Sequence, residues 1–589
     1  MYGVLLPCTD SPPPPPPSQL TTWTSQILSY AVTTFINAFL ANLNPSASRA
    51  SLRKLLTALA TAFDFALVAG TGILACTHPA FIPALLALQA WLVLLSLVLL
   101  TALPVAPERL PPPPAAAGVR RLLAPTRLRA GALLLTGVAI LAVDFNAFPR
   151  RFAKTETFGT GLMDVGVGVF VVVNALVSPL ARSGFTTTNN NDNNHKHAAG
   201  DSNNSSSFRS RLALGLISAV KSAGLLSVLG FARIAGNSSV NYQVHTSEYG
   251  VHWNFFFTLA VVLGVAALLH ALLPALSSVQ FDAALYCQEV ELSCNDTACQ
   301  SAKALGCAVK RVLTQALSHP RAWVCALLGL TITAGHQYWL VYPLRLSSSS
   351  LSNPFDGTDW VFNAPRVGLL TANKEGIASL PGYIAILLLS VPIGRILYAA
   401  AALNNCSQQR TSAKTNALAA TIIIGSFSAL AWLATSVLVH TTQDVSRRLA
   451  NSAFVAWQIA LATLMLTVAL AVEAADVPGW IQSKLGSRND AASRGFRENT
   501  VSMAEAGGAG LGATVNAIDS APLSFFLITN LLTGAVNLAI DTMNTSDSTA
   551  IAVLVCYIAL SVIAVTFVTP TAIAFVKRRV KRQVPKKQD

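Results

Sequence analysis

Apolar segments of about 20 residues recur from one end of this chain to the other, and that repetition leaves few folds open. A segment of that length crosses a bilayer as a helix, because lipid offers no water to satisfy an open strand edge. Only 11% of the 589 residues are charged and 53% are hydrophobic, whereas a soluble domain carries about 25% charged residues. Ten-residue alternation of the barrel kind is absent. The predicted fold class is therefore all-α and polytopic, with about 13 transmembrane helices. The candidate spans are Trp23–Asn42, Leu55–Cys76, Phe81–Leu103, Arg129–Phe148, Leu162–Ala181, Leu212–Ala235, Asn254–Leu273, Ala322–Leu344, Leu380–Ala402, Thr415–His440, Ser452–Ala474, Pro522–Ile540 and Thr549–Phe575. They form one multi-helix domain over 23–576, between a Pro-rich segment at 1–22 and a basic tail at 577–589. The loop 183–211, with its Asn/Ser-rich stretch Asn189–Ser207, is expected to be disordered and cytoplasmic.

The formal net charge of +14 sits mostly in loop Lys and Arg, which set membrane orientation. No nucleic-acid motif accompanies it, so nucleic acid is excluded as a partner. Nine cysteines are scattered without CxxC spacing, and no HExxH-like spacing occurs, so neither a disulfide framework nor a metal is expected. The tail Lys577–Lys587 predicts a cytoplasmic C-terminus, and an odd helix count then makes the N-terminus lumenal. No Lys or Arg precedes Arg49, and no cleavable signal peptide is evident. The final Lys586-Lys587-Gln588-Asp589 resembles a dilysine retrieval signal read by the COPI coat, which predicts the endoplasmic reticulum membrane. The alternative is a basic end that only orients the chain.

Polar residues at predicted lumenal helix mouths are the candidates for chemistry, because bilayers penalise them. His245 to Leu259 holds His245, Glu248, His252 and Asn254 immediately before an apolar run. Asp144 to Asp164 places Asp144, Arg150, Arg151 and Lys154 on the side disfavoured for cations, with Lys154 and the arginines as the nearest partners for Asp144. Phe355 to Tyr383 supplies Arg366, Lys374 and Glu375 around an amphipathic stretch that would dip towards the membrane. Asn537 and Asp541 end the twelfth span. Lys221 and Arg395 stand alone within spans, where snorkelling is the bland alternative to a substrate contact. For Asp144 the bland alternative is a structural ion pair. Basic groups beside acids suit a substrate with a phosphate and hydroxyls, so the residues point to an anionic or lipid-linked substrate handled at the lumenal face.

The same stretches resemble the inositol acyltransferases of glycosylphosphatidylinositol (GPI) anchor synthesis, the family of fungal GPI-anchored wall transfer protein and animal PIG-W. The matching segments are FPRRFAKTETFGTGLMDVGVGVFV from Phe148, EYGVHWNFFFTL from Glu248, ANKEGIASLPGY from Ala372, SRRLAN from Ser446 and NLLTGAVNLAIDT from Asn530. They keep the family's order and span most of the chain; the segment MYGVLLPCTDSPPPPPP departs from the family's usual start. The resemblance implies a multi-pass reticulum enzyme, an antifungal target in fungi. It would move a fatty acyl group, usually palmitoyl, from acyl-coenzyme A to the inositol 2-hydroxyl of glucosaminyl-phosphatidylinositol. No bound cofactor is implied; acyl-coenzyme A is a co-substrate. It also implies that Asp144 and Lys154 are catalytic. On that footing Asp144 is the expected general base, with His252 as the alternative because imidazole titrates near neutrality. Lys154 would stabilise the thioester oxyanion, and Arg150 and Arg151 would grip phosphate. Lys374 would contact phosphate of coenzyme A or of the lipid, with His245, Glu248 and Asn254 forming a wall. The rival readings are a lipid or glycolipid transporter, which would place ionisable groups near the midplane, and a non-catalytic subunit.

Overall fold

The computed structural model describes residues 62, 65–66, 68–81, 83–84, 87, 123–182, 204–239, 246–273, 297–342, 356–406, 410–474 and 513–568. Every regular element among them is helical. The long helices are α1 (Leu123–Ala142), α2 (Val165–Leu176), α3 (Asn204–Ser239), α4 (Phe255–Leu272), α5 (Thr297–Leu317), α6 (Pro320–Val341), α7 (Leu380–Cys406), α8 (Arg410–Thr441), α9 (Ser452–Ala474), α10 (Pro522–Ala539) and α11 (Asp547–Ile563). Ten helical stretches among the described residues are long and apolar enough to cross a membrane. They coincide one for one with the fourth to thirteenth predicted spans. The first three predicted spans fall largely outside the described residues, apart from a short apolar helix at Val68–Thr77.

Burial separates an inner from an outer set. In α1, α2, α7 and α9, 61–78% of the spanning residues are buried inside the protein, against 17–33% in the other six spans. The outer helices thus turn most of their apolar surface outward, as lipid-facing helices do. Helix α5 stands where the sequence predicts a loop, and carries Lys303, Lys310 and Arg311 on a helix whose apolar face packs on α7 and α8.

Three expectations are corrected here. Helix α1 starts at Leu123 rather than Arg129 and stops at Ala142 rather than Phe148. Its early charges are neutralised from afar: Arg127 pairs with Glu473 at 3.5 Å and Arg129 with Asp519. Beyond Ala142 the chain tightens into turns, with Asp144 N–H bonded to Leu141 O and Phe145 N–H to Ala142 O, so Asp144 lies past the helix instead of inside it. Secondly, residues 204–211 of the loop expected to be disordered belong to α3; residues 183–203 lie outside the described residues. Thirdly, Arg395 does not snorkel. It is 2% exposed, and its guanidinium donates to Ala316 O and Ala181 O, both at 3.2 Å. Arg321 likewise donates to Leu273 O. All three acceptors sit at helix C-terminal ends, where carbonyls lack an intrahelical partner; acceptors inside the bundle replace the water a lone arginine would otherwise seek.

Candidate active site

At the opposite end of the bundle from Arg395, five connecting segments meet: 143–164, 246–254, 356–379, 443–451 and 540–546. The first clasps the second through Lys154, whose ammonium donates to both Glu248 carboxylate oxygens at 2.8 Å. The second joins the third through backbone: Val251 N–H reaches Ala372 O, and His252 N–H reaches Asn373 Oδ1 at 2.7 Å. Gly250 makes this approach possible. Its φ of +106° suits glycine, and a Cβ there would collide with the Asn373 backbone. The fifth segment meets the first where Asn146 donates to Met543 O, and just before it the last turn of α10 reaches the same loop, Asn537 Nδ2 donating to Asp144 Oδ2 at 2.8 Å.

The segment 443–451 locks this assembly. Arg447 Nε donates to Asp164 Oδ1 at 2.7 Å, with side chains 4% and 0% exposed. Asp164 also accepts from the Thr155 and Gly161 backbone N–H groups and the Thr155 hydroxyl. Next door, Arg448 and Arg366 share the fully buried Glu375, and the Arg448 guanidinium lies 4.9 Å from the centre of the Phe362 ring. Gly159 N–H bonds to Val445 O, and Ser446 donates to Thr157 O. The tight turn ends at Ala450, whose φ of +47° is unusual for a residue with a Cβ.

Electrostatics divides the carboxylates. Burial pushes the Asp144 carboxyl above its ordinary range; the Asn537 hydrogen bond and the Arg150 charge oppose this without cancelling it. Burial would also raise Glu248, but Lys154, then Arg447, outweigh it and hold that carboxyl below the usual range. For Arg447, burial alone would lower the guanidinium, yet Asp164, Tyr249 and Glu248 hold it firmly protonated.

The candidates from sequence sort themselves accordingly. Asp144, Lys154, Glu248 and Asn537 are brought into the cluster. Lys154 takes Glu248 as its partner and not Asp144, which stands with Asn537 and Arg150. Arg150 donates to Val143 O from an exposed position, and the exposed Arg151 lies over the Phe152 ring at 5.3 Å. His252 is exposed, while Asp541 is exposed and accepts from Asn544. Two residues expected to touch substrate have their polar groups engaged within the protein. Lys374 is 2% exposed and donates to Ala364 O, and Asn254 caps α4 at Phe256 N–H while donating to Gly230 O. Lys221 is exposed on α3, nine residues before Gly230 and so roughly 13 Å further along the helix; it does not join the cluster. His245 lies outside the described residues, as does the Lys586-Lys587 pair. No group of three or more His, Cys, Asp or Glu residues able to hold a metal occurs among the described residues.

Sequence reasoning missed Asp164, Arg447 and Arg448 as site residues. A signal was present: Arg447 and Arg448 sit on the predicted lumenal side, the same violation of the charge rule that drew attention to Arg150 and Lys154.

Comparison with known proteins adds an independent line. The chain is 32% identical to glucosaminyl-phosphatidylinositol-acyltransferase PIGW of Bos taurus, over 72% of this chain and 68% of that protein. It is 31% identical to the Homo sapiens protein of that name, with the same coverage. To GPI-anchored wall transfer protein 1 of Aspergillus fumigatus it is 30% identical, over 73% of this chain and 69% of that protein. The GWT1 family model matches residues 19–299 and 306–568, and the chain therefore belongs to the GWT1 family.

Proposed function

We propose that this protein is an acyltransferase of GPI-anchor biosynthesis that transfers a fatty acyl group from acyl-coenzyme A to an inositol hydroxyl of glucosaminyl-phosphatidylinositol. The observation that carries the reading is that one loop holds both a carboxyl raised by burial, Asp144, and an ammonium fixed by two hydrogen bonds to Glu248, Lys154, in a chain 32% identical to a protein named glucosaminyl-phosphatidylinositol-acyltransferase. Asp144 takes the proton of the attacking hydroxyl, and its raised proton affinity makes it a better base for an alcohol than an ordinary carboxylate. The inositol oxygen then bonds to the thioester carbon. The carbonyl electron pair moves to oxygen, where the Lys154 ammonium stabilises the charge. Collapse expels the coenzyme A thiolate, which recovers the proton from Asp144. Arg150 and Arg151, both exposed, meet the phosphate of the lipid in this reading. The reading puts the site at the lumenal face of the endoplasmic reticulum membrane, palmitoyl as the usual acyl group, and retrieval by the COPI coat through Lys586-Lys587.

The test is acyl transfer in microsomes from cells lacking their own enzyme, supplied with this chain, labelled palmitoyl-coenzyme A and glucosaminyl-phosphatidylinositol. A labelled lipid acylated on inositol is expected. Well-expressed protein that gives no such product would overturn the proposal.

A further inference from the structure

The stretch between the short helix Gly357–Asn363 and Lys374 carries an apolar tip, where Val367, Leu369 and Leu370 are 79%, 74% and 61% exposed. Gly368 lets the chain turn there, with a φ of +86° and open space where a Cβ would stand. The tip is held by its own hydrogen bonds. Val367 O accepts from the Thr371 hydroxyl, Gly368 O from Ala372 N–H, Leu369 O from Asn373 Nδ2 and Leu370 O from Asn373 N–H. At its root Arg366 donates to Ala372 O and grips the fully buried Glu375. The short helix is pinned to the site's end of α6: Thr358 donates to Leu340 O, and Trp360 packs edge-on against Trp339. Tyr338 and Tyr342, at that same end of α6, are exposed, as tyrosines at a bilayer–water boundary are.

We infer that the Val367–Leu370 tip inserts into the leaflet at this end of the bundle, among phospholipid headgroups and the upper acyl chains. Acyl transfer is not needed for this, only the membrane-spanning bundle. Three observations select lipid. Carbonyls that already have protein donors need no water, which is the condition for backbone to enter an apolar phase. Between Asp359 and Glu375 the sequence has no acid, so headgroup phosphates repel nothing on the tip, and the partly exposed Arg366 carries the charge they favour. Three side chains are also too few for a protein partner, which needs about 800 Å² on each side. The tip is tied to the candidate site, because Ala372 O accepts from Val251 N–H and Asn373 Oδ1 from His252 N–H. Lipid contact at the tip thus fixes the height of the segment bearing Glu248 over the bilayer.

The experiment uses the full chain in phospholipid nanodiscs, with a spin label on Val367→Cys, Leu369→Cys or Leu370→Cys and the signal of the wild-type chain's own cysteines subtracted. Relaxation by oxygen, which concentrates in lipid, is compared with relaxation by a polar nickel chelate, which stays in water. Glu156→Cys, at an exposed position of the neighbouring loop, and Leu531→Cys, on the outward face of α10, calibrate the two extremes. Expected at the tip is an oxygen-to-nickel ratio well above that of Glu156→Cys and approaching that of Leu531→Cys. A ratio equal to that of Glu156→Cys would place the tip in water and overturn the insertion. Labels that neither reagent reaches would overturn it too, because protein would then cover the tip. A second measurement needs no substitution. Trypsin cleaves after Arg366 and Lys374, so the tip of the unaltered chain leaves as the single peptide Val367–Lys374. Phospholipids with a photoreactive group near the glycerol should label that peptide; label on α10 and α11 with none on Val367–Lys374 would sink the inference.

Discussion

Two ion-pair layers lie side by side at the loop-rich end, and they differ in one respect. In the inner layer the carboxylates Asp164 and Glu375 are fully buried and bound by Arg447, Arg448 and Arg366. In the outer layer Lys154 and Glu248 stay 34% and 26% exposed, and Asp144 is half-buried with a neutral amide as its direct partner. A buried, multiply bonded carboxylate has no spare capacity and serves as a fastener. A carboxylate raised by burial but still reachable can exchange a proton. The contrast teaches that charge density alone does not mark the reactive group; accessibility and the sign of the shift do.

The largest effect should come from the inner layer. Arg447→Ala leaves the buried Asp164 carboxylate without its counter-charge, at a cost of about 3–5 kcal/mol; loss of monodisperse folded protein in detergent checks this, and normal thermal stability would refute the fastener role. Next comes Asp144→Asn, expected to keep that folded state while transfer falls by about 10²–10⁴-fold. Were both variants to behave alike in the folding assay, the division into layers would fail. Lys154→Ala should lose about 10²–10³ in rate with normal assembly, a loss read as turnover at saturating donor. A subtler shift sharpens the reading of Asp144. Transfer needs Asp144 deprotonated, and burial raises its proton affinity, so the acid limb of the pH profile should lie above the ordinary carboxylate range. Arg150→Ala removes a charge that lowers this affinity and must move the limb to still higher pH; Asn537→Ala must move it the same way. A stationary limb in both would assign it to another group. The smallest effect belongs to Asp541→Ala, which disturbs only an exposed local contact to Asn544 and should leave transfer rates unchanged.

Spans were legible because hydropathy is a local property; the ten described spans fall where the apolar runs are. Their limits were not, as α1 shows. By sequence Arg127 lies outside it and Arg129 is its first residue, and the distant Glu473 and Asp519 make these charges tolerable in the helix. The site was partly legible for the same reason. Asp144, Lys154 and Glu248 were singled out as polar residues at membrane helix mouths, but the bond between Lys154 and Glu248 joins residues 94 apart, and no local pattern encodes that pairing. Arg447 was passed over because its partner Asp164 reads as an unremarkable end to a glycine-rich loop.

That last separation has a consequence for how the protein is made. Asp164 leaves the ribosome 283 residues ahead of Arg447. Until then its carboxylate has only the donors of its own loop, at the edge of a helix already entering the bilayer. A nascent chain cut anywhere in between carries an unneutralised acid where the finished protein hides one.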